Sequence, residues 1–227
     1  MKYGQFCPLA KASEILGERW TLLVIRELIS GANSYTELQR GLGRISPSVL
    51  SSRIKTLVEH GIVEKVEVES APRYRLTQAG MELAPIIESV GGWGQRWVRS
   101  RMTRDELDVE LLMLHLQRNF DAGAFPKARA VVGFVFSDLR GALRCWWLLL
   151  DDGNIELCAQ HPGRAEDVTL TCTLRTLSEI FIGNTTLKAA LGAERLQVNG
   201  PQKLLRNMQQ WLVLSPFAQV QAGQSLG

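Results

Sequence analysis

Ile45-Ser46-Pro47-Ser48-Val49-Leu50-Ser51-Ser52-Arg53-Ile54-Lys55-Thr56-Leu57-Val58-Glu59-His60-Gly61 runs directly into Ile62-Val63-Glu64-Lys65-Val66-Glu67-Val68, a polar turn, and Tyr74-Arg75-Leu76-Thr77. Ser46 suits a helix N-cap, and Pro47 suits the first position, where no N–H partner is lost. Gly61 suits the position past the helix end. Leu50, Ile54, Leu57 and Val58 recur at helical spacing and predict a buried stripe. With about 100° of rotation per residue, Ser48, Ser52, Lys55 and Glu59 point the other way, with Val49 and Thr56 slightly to one side. Val63, Val66 and Val68 form one arm of a hairpin, Tyr74 and Leu76 the other. Pro72 breaks the ladder near the polar tip Glu69-Ser70-Ala71-Pro72-Arg73.

A helix followed by such a hairpin is the layout of a winged helix-turn-helix. An ordinary solvated helix face is more often rich in Glu and Lys. Short hydroxyl side chains near the N-terminus instead let the backbone approach base edges, while Arg53 and Lys55 can hold phosphates. The residues expected to meet double-stranded DNA are Ser46, Pro47, Ser48, Val49, Ser52, Arg53, Lys55 and Thr56, with Arg73 and Arg75 from the hairpin. For Arg75 an ion pair across the hairpin with Glu64 or Glu67 stays open as the alternative.

Working outward, Cys7-Pro8 opens a first helix with Leu9, Ala12, Ile15 and Leu16 on one stripe, ended by Gly17. A second helix is predicted over about Arg19 to Ser30, and a short third from Ser34 or Tyr35 to Arg40, with Gly41-Leu42-Gly43 as the turn. Beyond the hairpin, Thr77 caps one long helix carrying Met81, Leu83, Ile86, Ile87, Val90, Trp93 and Trp97. That helix is more apolar than a monomer of this size needs, which points to a dimer seam.

Composition bounds the rest. The 227 residues, 45% hydrophobic and 22% charged, suit one large or two ordinary folded domains. Residues 1–104 hold 15 Lys/Arg against 10 Asp/Glu, and residues 105–227 hold 11 against 13. A basic front half suits a phosphate-facing module. The longest apolar run, Cys145 to Leu150, is too short to span a bilayer, and no apolar leader follows Lys2, so a cytoplasmic protein is expected. Cys7, Cys145, Cys158 and Cys172 form no CxxC pair and have no His at ligand spacing, so no metal or cofactor is expected. His60, His115 and His161 lie far apart, and neither a nucleophile elbow nor a Gly-rich phosphate loop is present. Catalytic residues are therefore not expected.

Cys7-Pro8-Leu9, the run Gly17-Glu18-Arg19-Trp20-Thr21-Leu22-Leu23-Val24-Ile25-Arg26-Glu27-Leu28, Leu50 to Leu57, Tyr74-Arg75-Leu76-Thr77-Gln78-Ala79-Gly80 and Trp93-Gly94 together resemble an HxlR-type winged helix regulator. The resemblance covers about residues 5–100. It implies a homodimer built from the first and last helices of the domain, a palindromic operator, and repression. One departure is noted: the family commonly has Arg-Phe where this chain has Ser34-Tyr35. Some members sense oxidants through a cysteine at the position of Cys7. Here a helix N-terminus and the nearby Lys11 favour thiol reactivity. The alternative is an inert Cys7 packed at the dimer interface.

Residues 105–227 read as a second domain, after a link from Arg99 to Asp105. A helix is expected from Leu107 to Phe120. Strands are expected over Ala130–Phe136, Arg144–Leu150, Asn154–Ala159 and Val168–Thr173, with a hairpin turn at Asp151-Asp152-Gly153-Asn154. Thr176-Leu177-Ser178-Glu179 reads as a capping box, and Arg195 to Val198 as a last strand before a terminal helix with Leu204, Leu205, Met208, Trp211 and Leu212. This is α+β: a winged helix-turn-helix followed by an antiparallel sheet packed with helices. The segment from Val168 to Leu214 is similar to sterol carrier protein type 2-like domains, which implies a five-stranded sheet with an apolar cavity behind it. Trp146, Trp147, Phe181 and Trp211 are the candidate lining for an apolar small molecule. The alternatives are a plain core serving dimerisation, or an apolar-ligand carrier for which the front half is only a docking module.

Overall fold

The computed structural model describes residues 2–69, 71–98, 102–221 and 223. Ser70 of the hairpin tip and Arg99 to Arg101 of the expected link lie outside them. The chain divides into two compact units, Met1–Trp93 and Gly94–Gly227.

The first unit begins with α1 (Pro8–Leu16) and α2 (Thr21–Ile29). α2 starts later than the apolar pattern suggests because Trp20 takes a left-handed backbone, with φ of 79°. α3 (Tyr35–Leu42) is opened by a complete capping box: Ser34 Oγ accepts from the Glu37 N–H, and Glu37 reaches back to the Ser34 N–H. It takes in Gly41 and Leu42, which the Gly-Leu-Gly run places in the turn. α4 (Pro47–Glu59) follows, with Ser46 accepting from the Val49 N–H. β1 (Val63–Val66) and β2 (Arg73–Leu76) pair antiparallel, with Glu64 opposite Arg75. Val24, Ile25, Leu38, Leu50 and Leu57 are fully buried among the three helices and the hairpin base.

The single long helix expected after Thr77 is instead two: α5 (Gln78–Met81) and α6 (Ala84–Trp97). Pro85 sits in the first turn of α6, where its missing N–H costs nothing, but it could not continue a helix running through from α5.

The second unit has α7 (Val109–Asn119), β3 (Arg129–Phe136), β4 (Cys145–Asp151), β5 (Asn154–Cys158), β6 (Val168–Cys172), α8 (Leu174–Phe181), α9 (Leu187–Gly192), β7 (Leu196–Asn199), α10 (Gln202–Arg206) and α11 (Met208–Trp211). The five strands lie in the order β5-β4-β3-β6-β7. The sheet is mixed where an antiparallel one was expected, because β3 and β6 run parallel. After the β4–β5 hairpin the chain crosses the outer face of the sheet and joins the free edge of β3 in the same direction. Glu166, on that crossover, accepts from Trp147 Nε1 at 2.7 Å. Gly133 in β3 makes room for it: a Cβ there would lie 3.0 Å from the Glu166 carboxyl carbon.

α8 begins one turn before the predicted capping box. Thr173 caps it by accepting from the Thr176 N–H, and Asp138 accepts from the Leu174 N–H at 2.9 Å. The inner sheet face and the helices share one core containing Phe134, Phe136, Leu148, Leu170, Met113, Ile180 and Trp211. The Trp211 ring lies 5.4 Å from Phe120 and 5.2 Å from Phe125, and its Nε1 donates to Leu204 O.

Candidate nucleic-acid interface

α4 projects from the first unit on the anchor of Leu50, Ile54 and Leu57, all buried. Ser46, Pro47, Ser48, Ser52, Lys55 and Glu59 are exposed, and Val49 and Thr56 are half-buried beside them. Ser46 Oγ lies 3.3 Å from Ser48 Oγ, so the hydroxyls cluster at the helix N-terminus, the positive end of the helix dipole. Lys55 Nζ is 3.7 Å from Glu59 Oε1 with both side chains well exposed, a geometry that holds the ammonium only weakly.

Arg53 is placed differently. Its side chain is only 18% exposed, with Nη1 2.6 Å from Glu18 Oε2 and Nε donating to Arg19 O at 2.9 Å. The wing arginines are both exposed. Arg75 pairs with Glu64 across the hairpin, which is the alternative left open for it. Arg73 donates from Nη1 to Asn33 Oδ1 at 2.8 Å, beside the start of α3. There the backbone N–H of Asn33 holds the Glu37 carboxyl below the usual carboxylate range, with help from Ser34 and the charge of Arg73.

Two contributors escaped the reading of the sequence. Tyr35 OH donates to Pro47 O at 2.9 Å, fastening the first turn of α3 to the first turn of α4. Asn33 holds Arg73 and donates its own N–H to Glu37. The sequence marked Tyr35 as a candidate start of the third helix and as a departure from the family pattern, but its bond to Pro47, twelve residues on, has no local signal. Between α4 and the wing lies a depression floored by Tyr35, Ile54, Val58 and Tyr74, with Lys55 and Lys65 at its rim.

Cys7 is exposed at the N-cap of α1, and the Lys11 ammonium is 3.6 Å from Glu14. In the second unit three of the four candidate cavity residues share one core and the fourth lies outside it. Trp146, Phe181 and Trp211 belong to the packed inner core. Trp147 faces the opposite side of β4, half-buried against His161 and Glu166. Among the described residues no group of three or more His, Cys, Asp or Glu is gathered for a metal ion, and no helix is long and apolar enough to cross a membrane.

A capped, exposed helix carried on a three-helix core beside a two-stranded wing defines a helix-turn-helix protein of the kind that binds DNA. Residues 15–102 match the HxlR-like helix-turn-helix family, and residues 114–213 match the SCP-2 sterol transfer family. The chain is 33% identical over 102 residues to YvaP, an uncharacterized HTH-type transcriptional regulator of Bacillus subtilis, covering 43% of this chain and 94% of that one. It is 41% identical over 93 residues to an uncharacterized HTH-type transcriptional regulator of Mycobacterium tuberculosis, covering 40% of this chain and 58% of that relative. It therefore spans little more than half the length of the mycobacterial protein. Among solved structures, the reduced form of the transcriptional regulator YodB from B. subtilis is 27% identical, covers 40% of this chain and 93% of its own, and has a TM-score of 0.36. The chain belongs to the HxlR-like helix-turn-helix family of transcriptional regulators, and its later residues 114–213 match the SCP-2 sterol transfer family.

Proposed function

We propose that the protein is a homodimeric repressor that reads a palindromic operator by laying the N-terminal half of α4 in the major groove. The observation that carries this reading is the exposed row Ser46, Ser48, Ser52 and Lys55 beside an open wing. Ser46, Pro47, Ser48, Val49, Ser52 and Thr56 meet base edges and the adjacent sugars, while Lys55, Arg73 and Arg75 meet phosphates. Arg75 keeps its exposed pairing with Glu64 at little cost, so it can exchange that partner for a phosphate.

The dimer reading rests on α6 and the N-terminal segment. Ile86, Val90 and Trp93 form one exposed apolar row on α6, and Phe6 and Leu9 are exposed at the start of α1. Apolar rows of this kind at helical spacing suit burial against a second copy. Two recognition helices on one side of the duplex then require half-sites roughly 10 base pairs apart, centre to centre. Repression follows physically if that footprint overlaps the polymerase site.

We assign residues 1–104 to DNA binding and dimerisation, and residues 105–227 to an SCP-2-like module that takes an apolar small molecule. Such a ligand controls the operator only if it binds the free and DNA-bound conformations unequally. The test is selection of bound duplexes from a random pool by the full-length protein, followed by in vitro transcription from a promoter carrying the selected site. An enriched site with two-fold symmetry and reduced transcription supports the reading. Enrichment of no sequence rejects it.

A further inference from the structure

We propose that Arg53 is a positioning residue: it locks the groove helix to the α1–α2 turn and so sets how that helix is presented, without itself contacting a phosphate. This rests on the reading of α4 as the groove helix. Lys55, two residues on, has a side chain 77% exposed, whereas Arg53 is 18% exposed and turned back into the protein. Its planar fork spends two donors on two acceptors of the same turn, Nη1 on Glu18 and Nε on the Arg19 carbonyl. A lysine cannot reproduce that geometry, because its ammonium is a single point donor at the end of a flexible stem.

The turn it holds is unusual. Trp20 follows immediately with φ of 79°, a left-handed backbone that a bulky side chain adopts only when its surroundings impose it. Arg19 lies over the Trp20 ring at 5.4 Å. The Trp20 carbonyl accepts from the Val24 N–H in the first turn of α2. Glu18, Arg19 and Trp20 are thus each engaged, and Arg53 holds two of the three. The end of α1 and the exposed face of α4 are joined through this strained turn, so a shift of α1 is carried directly to the groove helix.

The test uses full-length protein, a duplex enriched from a random pool by the wild-type protein, and a scrambled duplex of equal length, each titrated over a potassium chloride series. For Arg53→Gln and Glu18→Gln the ratio of specific to scrambled affinity is expected to fall about tenfold, with the slope of log affinity against log salt unchanged. Lys55→Gln, the phosphate control, is expected to lower that slope by about 0.9. The double variant of Arg53 and Glu18 is expected to match either single variant. A general loss of folded protein would reduce both affinities together and leave the ratio alone. A lower salt slope with Arg53→Gln, or a ratio untouched by Glu18→Gln, overturns the proposal. Glu18→Gln is conservative and on the surface, so it carries the test if Arg53→Gln does not fold. If wild-type protein enriches no duplex, the DNA reading itself has failed, a result distinct from both.

Discussion

The Glu27 carboxyl group occupies the space that a side chain at position 41 would need: a Cβ built on Gly41 would lie 1.7 Å from Glu27 Oε2. Glu27 is fully buried. Arg26 folds back on it, with Nη2 2.6 Å from Oε1, and the same nitrogen reaches Gly41 O at 3.4 Å. The last turn of the second helix is thereby pinned to the end of the third, directly ahead of α4. Glycine is required at 41 by contact with a neighbour.

Gly41→Ala is expected to destabilise the first unit by about 1–3 kcal/mol, the usual cost of overpacking. Glu27→Ala removes the buried partner of Arg26 and destabilises as well, by less than a wholly buried pair would because Arg26 is one-third exposed. Combining them removes the clash, so chemical denaturation should show the double variant to be clearly more stable than the summed single effects. Strict additivity would sink the contact argument.

Ser48→Ala and Ser52→Ala are expected to change which duplexes are preferred, each costing about 1–3 kcal/mol at the base pair concerned, with the salt slope retained. Lys55→Ala is expected to weaken selected and scrambled duplexes alike. Fluorescence anisotropy on both duplexes separates the two patterns. Indifference of Ser48 and Ser52 variants to sequence would move the reading surface elsewhere.

Val90→Glu places a charge in the middle of the exposed apolar row between Ile86 and Trp93. On a free surface the change is nearly silent; in a dimer seam it buries an unpaired carboxylate. Light scattering should show the wild-type protein at twice the chain mass and the variant at the chain mass, with operator affinity lost. A variant that stays dimeric removes α6 from the seam.

Cysteine reactivity should differ sharply along the chain. Burial, aided by the charge of Asp138, pushes the Cys172 thiol up to about 12. Its folded value thus lies above its unfolded one, so the stabilisation is complete below pH 9 or so and disappears as pH rises towards 12. Cys172→Val is expected to lessen the alkaline loss of stability, read as the difference between denaturation curves at pH 8 and pH 10.5. Under brief alkylation or mild peroxide at neutral pH, mass spectrometry should find Cys7 modified first and Cys172 last. Protection of Cys7 in the wild-type dimer but not in Val90→Glu would place it inside the seam and set aside an oxidant-sensing role.

Trp211→Ala is expected to cost the second unit about 3–5 kcal/mol, as for large aromatic deletions from packed cores. The indole packs against both Phe120 and Phe125 and donates to Leu204 O. A loss well under this range, measured by thermal unfolding, would show that the site collapses or already holds a void. A void of that kind is what an apolar ligand would need.

Much of the architecture was legible in the order of the residues. Ser46-Pro47 marked the start of α4 because capping and proline geometry act within one turn. The buried stripe from Leu50 to Leu57 followed from helical period, and the wing arms and most strand limits from alternation and turn residues. Pro85 was a local signal for the break between α5 and α6. Asp138 closing the N-terminus of α8 was not legible: 36 residues separate it from Leu174. The parallel seating of β6 against β3 could not be read from alternation, which is the same for either strand direction.

The helical face that points outward at Ser48 and Ser52 needed nothing beyond the chain's own periodicity, because apolar side chains leave water wherever the backbone turns them inward. What Arg53 holds is another matter. Several carboxylates were available to it by charge, and 34 residues separate it from the carbonyl it grips. Folding of α1, the Trp20 turn and α4 onto one core brought Glu18 and Arg19 O within its reach. Glu27 and Gly41, and Tyr35 with Pro47, were matched in the same way, since packing selects among distant partners that composition and spacing leave equivalent.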